Sequence, residues 1–288
     1  MDEDGFFTSP NLAEARIAIL GLGLMGGSLA MALHGRCAAL FAVDPDPATR
    51  ALALERGVVE QVSARPEELL PEANAIILAA PVRAILAMIA ELPRWHPGRA
   101  IVLDLGSTKA SICAALEQLP QRFAPLGGHP MCGKEKSGLA NADPNLFQGA
   151  AFALCSLKRT PPAAQVFASE LVQVLGARPE WMQPAAHDHL AASTSHLPYL
   201  AACALALATP PEARILVGPG FRSTTRVAAA GPGVMSDVLH TNQTEVLAAL
   251  ERLRSQLAAL EADLRQNNES ALRQRLSQAA ACQQQLVS

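Results

Sequence analysis

His129 is the side chain of this sequence best suited to take a proton. It stands in Gly127-Gly128-His129-Pro130-Met131-Cys132-Gly133, read as a glycine-rich turn at the rim of a nucleotide-binding sheet. Flanking glycines let the backbone approach a ligand closely, and Pro130 fixes the chain just after the ring. A neutral imidazole with an ordinary pKa of about 6.5 suits a base acting at neutral pH. Two further segments, Ala79-Ala80-Pro81 and Asp104-Leu105-Gly106-Ser107-Thr108-Lys109, end strand-like runs. Ligands of open α/β sheets sit outside the carboxyl ends of the strands, so Pro81, Ser107 and His129 are expected to converge on one crevice. Ser107 and Lys109 also read as caps of the helix that follows them.

The stretch Gly21-Leu22-Gly23-Leu24-Met25-Gly26-Gly27-Ser28 follows the apolar run Ile17 to Leu20 and opens a helical pattern, Leu29 to Leu33. That context makes it a dinucleotide fingerprint. Gly21 permits the tight turn, Gly23 brings backbone N–H groups to a pyrophosphate, and Gly26 lets the helix pack closely on the strand, with Leu22, Leu24 and Met25 completing the loop. Asp44 ends the second strand, where a carboxylate accepts hydrogen bonds from ribose hydroxyls and repels a 2′-phosphate. NAD is therefore expected, and the nearby Arg50 leaves NADP open. The competing reading of Asp44 is a helix cap before Pro45.

The elements that must position these residues read as βαβ units. Short, almost wholly apolar runs at Ile17 to Leu20, Leu40 to Val43, Ala75 to Ala80, Ile101 to Leu105 and Ala151 to Leu154 alternate with helical patterns. Strands of that kind are covered on both faces of a parallel sheet. After Lys158-Arg159-Thr160-Pro161-Pro162 the chain turns to helix rich in Ala, Leu and Gln. The expected organisation is a loose leader over 1–14, a Rossmann-type α/β domain over 15–158 and an all-helical domain over 159–288. Val246, Leu250, Leu253, Leu257, Leu260 and Leu264 recur at steps of four and three, one apolar seam that suits packing within the domain and a subunit interface equally.

Composition excludes several classes. With 288 residues, 50% hydrophobic, 17% charged and a net charge of −3, the chain has no basic stripe for a phosphate backbone, and nucleic acid is not an expected partner. Six scattered cysteines without a Cys-x-x-Cys pair signal neither zinc nor a disulfide framework, and read as reduced thiols of a cytoplasmic protein. His187-Asp188-His189 lacks partners at ligand spacing, so no metal is expected; Asp188 reads as a cap before the Leu190 helix. The longest apolar run, Leu197 to Ala208, is short of the roughly 20 residues of a membrane span and is interrupted by Pro198, so no membrane is expected either.

Together with Ser137-Gly138, Asn145-Leu146-Phe147, Ser195-His196-Leu197-Pro198 and Gly220-Phe221-Arg222-Ser223-Thr224-Thr225-Arg226-Val227, these motifs stand in the order and at about the spacing of the prephenate/arogenate dehydrogenases of tyrosine biosynthesis, and the chain resembles that family from about Arg16 to Leu264. The resemblance implies oxidative decarboxylation of a cyclohexadienol with NAD as acceptor, and a homodimer formed through the helical domain. It gives His129 the role of base and Ser107 that of orienting the substrate hydroxyl and nicotinamide. It gives Arg226 a substrate carboxylate, and puts His196 in the pocket wall and Tyr199 and Gly133 beside the substrate. The resemblance implies prephenate as the substrate with arogenate the alternative; some members carry a second histidine where this chain has Tyr199 and tryptophan where it has Met235, positions that touch the substrate side chain and leave the choice between the two open. More remote alternatives are a β-hydroxyacid dehydrogenase, whose family lysine has no counterpart after Lys158, and a dinucleotide sensor without chemistry.

Overall fold

The computed structural model describes residues 10–134 and 136–287. Eight strands form one sheet: β1 (Arg16–Leu20), β2 (Ala39–Val43), β3 (Gln61–Ser63), β4 (Ala75–Leu78), β5 (Ala100–Asp104), β6 (Phe123–Pro130), β7 (Ala151–Ser156) and β8 (Arg178–Trp181). Their spatial order is β3-β2-β1-β4-β5-β6-β7-β8, parallel throughout except where β7 runs against β6. The first six strands thus have the doubly wound dinucleotide-binding order, whose order reverses between β1 and β4.

Helices α1 (Leu24–Leu33), α2 (Pro47–Glu55), α3 (Pro66–Leu69), α4 (Val82–Trp95), α5 (Ala110–Glu117) and α6 (Pro162–Val174) cover the faces of the sheet. Successive strand residues enter opposite layers, with Ile17 and Ile19 in one core and Ala18 and Leu20 in the other. This double burial is why the strands read as continuous apolar runs.

The sheet runs beyond the boundary expected at 158. Phe167, Leu171 and Val172 of α6 lie in the same core as β1, and β8 pairs with β7. Pro161 and Pro162 start α6 instead of ending a domain, because proline is well tolerated in a first helical turn. Within the expected leader, Leu12–Glu14 form a 3-10 turn with Leu12 buried; residues 1–9 lie outside the described residues.

The rest of the chain is helical: α7 (Pro184–Ala191), α8 (Leu197–Ala208), α9 (Pro219–Thr225), α10 (Pro232–Thr241), α11 (Gln243–Arg265) and α12 (Glu269–Val287). A π-helical turn over Ala192–His196 joins α7 to α8, and the helix continues through Pro198. The wider π turn accommodates the missing proline N–H. The resulting segment Pro184–Ala208 is long and apolar enough, by length and composition, to cross a membrane, yet it carries His187, Asp188 and His196, all buried in the fold.

The chain divides into two compact units, Met1–Asn242 and Gln243–Ser288. The first holds the sheet and α7 to α10. The second is the pair α11 and α12, tied by Arg275 Nε to Asp263 Oδ2 at 2.9 Å. Along the expected seam Val246 is buried, whereas Leu257 and Leu264 are exposed.

Candidate active site

The glycine loop between β1 and α1 has the geometry its sequence requires. Gly21 has φ +100°, and a Cβ there would stand 2.5 Å from the Ala79 carbonyl oxygen. A Cβ on Gly26 would stand 1.9 Å from the Gly21 oxygen, so only glycine lets α1 approach the loop. Gly23 differs, since its Cβ would meet nothing within 4 Å. It is the N-cap of α1 and offers no side-chain acceptor, which leaves the first-turn N–H groups facing an open surface. Asp44 is buried and braces this loop, Oδ2 accepting from Leu22 N at 2.7 Å and Oδ1 from Asp46 N at 2.9 Å. The cap of α2 is Asp46, not Asp44. Arg50 donates to the Asp44 and Pro45 carbonyls, 2.8 Å each.

A cleft of about 490 Å³ opens over this loop, within the usual range for small-molecule sites. Gly23, Leu24 and Met25 line it from the loop, Pro81 from the end of β4, Ser107 from the end of β5 and Met235 from α10. Of the other expected residues, Gly21, Leu22, Gly26 and Asp44 form its frame, while His129, Gly133, His196, Tyr199 and Arg226 are not in its lining. Gly133 is exposed in the segment after β6, and Arg226 begins the 3-10 turn Arg226–Ala229, whose last residue reaches the cleft. Tyr199 stands on α8, which packs against that turn.

His129 lies within β6 and not in a turn, paired opposite Ala153 of β7. The two glycines before it serve packing. A Cβ on Gly127 would stand 2.7 Å from Cys113 Sγ, and one on Gly128 2.7 Å from the Asp104 carbonyl oxygen. In the room they leave, the buried Lys109 ammonium pairs with Asp104 and donates to the Gly128 oxygen at 2.7 Å. Lys109 is therefore a core ion pair and not a cap. Ser107 is no cap either: its hydroxyl makes no hydrogen bond among the described residues. The N-terminus of α5 is capped from α7, where Asp188 accepts from Lys109 N at 2.7 Å and Ala110 N at 2.8 Å. Asp188 therefore does not cap its own helix as the sequence suggested.

The same helix reaches His129. His129 Nδ1 lies 2.8 Å from His187 Nε2, and His187 Nδ1 lies 2.8 Å from Asp188 Oδ1. Burial, then the neighbouring His187, Lys109 and His196, hold the His129 pKa well below the ordinary histidine value. His196 is buried on the π turn, and burial lowers its pKa to about 4. Its Nδ1 accepts from Asn242 Nδ2 at 3.2 Å, which puts its proton on Nε2, a buried atom with no hydrogen-bond partner. Asn242 Nδ2 also donates to the Asp188 carbonyl at 2.7 Å. From the sequence, a metal site at His187 and Asp188 is set aside and neither is given a part in the site, and Asn242 has no sequence signal at all; a histidine beside an aspartate on an apolar helix is the sign that could have found the first two.

Residues 29–180 match the family described as prephenate dehydrogenase, nucleotide-binding domain, and residues 183–278 match its dimerization domain. The chain belongs to the prephenate dehydrogenase family. It is 31% identical over 249 residues to the prephenate dehydrogenase of Bacillus subtilis, covering 82% of this chain and 67% of that one. A crystal structure of the A. aeolicus prephenate dehydrogenase in complex with hydroxyphenyl propionate and NAD+ superposes with a TM-score of 0.88 at 27% identity, covering 96% of this chain and 100% of the other. Synechocystis arogenate dehydrogenase gives 0.81 at 30% identity, with 94% and 100% covered. Two family members named for different ring substrates thus share this fold at similar identity. The first family match ends at 180, just short of the end of β8, in line with a sheet that extends past 158.

Proposed function

We propose that this chain catalyses NAD-dependent oxidative decarboxylation of prephenate to 4-hydroxyphenylpyruvate, with arogenate as the alternative substrate. The observation that carries the reading is His129: a neutral imidazole at the sheet rim, one strand from the Ser107 turn, in a chain of the prephenate dehydrogenase family.

NAD fits the loop, because Gly23 presents an open N-terminus of α1 while Gly21 and Gly26 leave no room for a side chain. When bound it supplies the hydride acceptor. His129 takes the proton of the 4-hydroxyl as the substrate is oxidised, and the ring carboxylate leaves as CO2 as the ring becomes aromatic. The Ser107 hydroxyl, at the cleft wall, orients that hydroxyl and the nicotinamide. Arg226 binds a carboxylate through its forked donors, and His196 belongs to the pocket wall. Tyr199 and Gly133 stand toward the substrate side chain. The carboxylate of Asp44 disfavours a 2′-phosphate, and Arg50 is held on backbone carbonyls, which supports NAD over NADP. Family membership displaces the β-hydroxyacid dehydrogenase and sensor alternatives.

The helical part, starting near Met182, forms a homodimer, and the enzyme works in the cytoplasm. Reduction of NAD+ and of NADP+, followed by absorbance with prephenate and arogenate offered separately, tests the reading. Turnover is expected with prephenate and NAD+. A chain that binds NAD+ but turns over neither ring substrate overturns it.

A further inference from the structure

The hydrogen bonds behind His129 have a fixed direction. Asp188 accepts two backbone N–H groups of α5 as well as the His187 ring. Burial opposes its charge, yet these donors hold its carboxyl below the ordinary carboxylate range, so Asp188 only accepts. His187 must then carry its proton on Nδ1. With a single proton on the His187 ring, placed on Nδ1 by Asp188, Nε2 is a bare acceptor, and the 2.8 Å contact is then a hydrogen bond only if His129 carries its own proton on Nδ1. The other nitrogen of His129, Nε2, has no hydrogen-bond partner among the described residues.

We infer that His187, held by Asp188, is a positioning residue that fixes His129 in the Nδ1–H tautomer and so makes His129 Nε2 the base. The inference rests on the functional reading above for what the base acts on, but not for the tautomer itself. The charged and titratable groups around the ring fit it. Lys109 faces His129 from the start of α5, but its charge is balanced by Asp104 of β5; His196 faces it from the π turn as a neutral ring; His187 and Asp188 face it from α7. When Nε2 takes the hydroxyl proton, the ring becomes an imidazolium that still donates Nδ1–H to His187. Asp188 then offsets the new charge through the intervening ring. No second proton transfer is needed.

Nitrogen-15 NMR of histidine-labelled protein reads the tautomer without substrate. The expected result is protonated Nδ1 and bare Nε2 on His129 in the wild type, and a mixture of tautomers in His187→Phe. In steady-state assays His187→Phe should lower kcat on the order of 100-fold, with KM and NAD+ affinity within about threefold. His187→Gln, whose amide oxygen accepts the same N–H, should recover about tenfold of that loss. In a His129→Asn background, His187→Phe should cost nothing further, because the two act as one unit. A wild-type His129 protonated on Nε2 would overturn the inference, and so would an equal loss of kcat in both backgrounds, the sign of a merely structural role. A wild type inactive on prephenate overturns the functional reading instead, while the tautomer still decides this one.

Discussion

At the scale of the residue, the site depends on imidazoles kept neutral by burial, and pH exposes this in two ways. A base works only unprotonated, and His129 has its pKa pushed well below the ordinary value. Activity should therefore persist as pH falls through about 6.5 and drop only at lower pH. A kcat/KM profile whose acid limb is centred at or above that value would contradict His129 as the base. Stability follows the same shifts. His196 titrates at about 4 in the folded chain, and His129 is also depressed, against about 6.5 unfolded. Between those values the unfolded chain binds more protons, so stability is lost as pH falls, at up to about 1.4 kcal/mol per pH unit for each group. Urea unfolding at several pH values should give that slope, and His196→Gln should flatten it; an unchanged slope would clear His196. His129 and Ser107 were legible as chemistry because glycines and strand ends mark them. The bonds from His187 and Asp188 were not. Asp188 caps a helix far away in sequence, and only the packing of α7 against α5 makes that contact.

At the scale of the element, two glycines of one loop separate binding from folding. Ala at Gly26 would drive its Cβ into the Gly21 carbonyl, where backbone must move, whereas Ala at Gly23 meets open space. Gly26→Ala should lose about 1–3 kcal/mol of stability in denaturant titrations. Gly23→Ala should stay within about 1 kcal/mol of wild type and yet weaken NAD+ binding by about tenfold or more, because its methyl group stands where the pyrophosphate must approach. Calorimetric titration with NAD+ checks the second arm, and undiminished affinity would move the cofactor off this loop. The glycines of this loop were legible from sequence because strand and helix flank them. Those of β6 were misread as a turn, since Gly127-Gly128 lacks strand propensity. What keeps small residues there is Cys113 Sγ beside Gly127 and the Asp104 backbone carbonyl with the Leu103 side chain beside Gly128, a tertiary demand with no local trace. The short edge strands β3 and β8 are likewise made by their neighbours, because Gln61–Ser63 and Arg178–Trp181 carry too little apolar pattern to declare themselves.

At the scale of the whole molecule, the helical part leaves much apolar side chain uncovered. Leu207 at the end of α8 is 87% exposed, and Ile215 and Leu216 in the 3-10 turn after it are 88% and 85% exposed. Large aliphatic side chains left this open in one short stretch mark an interaction surface. The stretch lies inside the residues that match the family's dimerization domain. The segment Pro184–Ala208 has the apolar composition of a span, but it also holds Asp188 on the backbone of α5 and the buried His196, groups that a bilayer would leave costly and unpaired. The homodimer proposed above would satisfy both observations if it covered these aliphatic side chains while leaving the polar groups with their own partners. Sedimentation velocity at micromolar concentration should give a dimer. Ile215→Asp combined with Leu216→Asp places two charges on that surface and should shift the protein toward monomer with its far-ultraviolet circular dichroism unchanged. A wild type that sediments as a monomer would remove the homodimer, and a variant that remains dimeric would move the interface to another face, the seam of α11 being the next to test by Leu257→Asp.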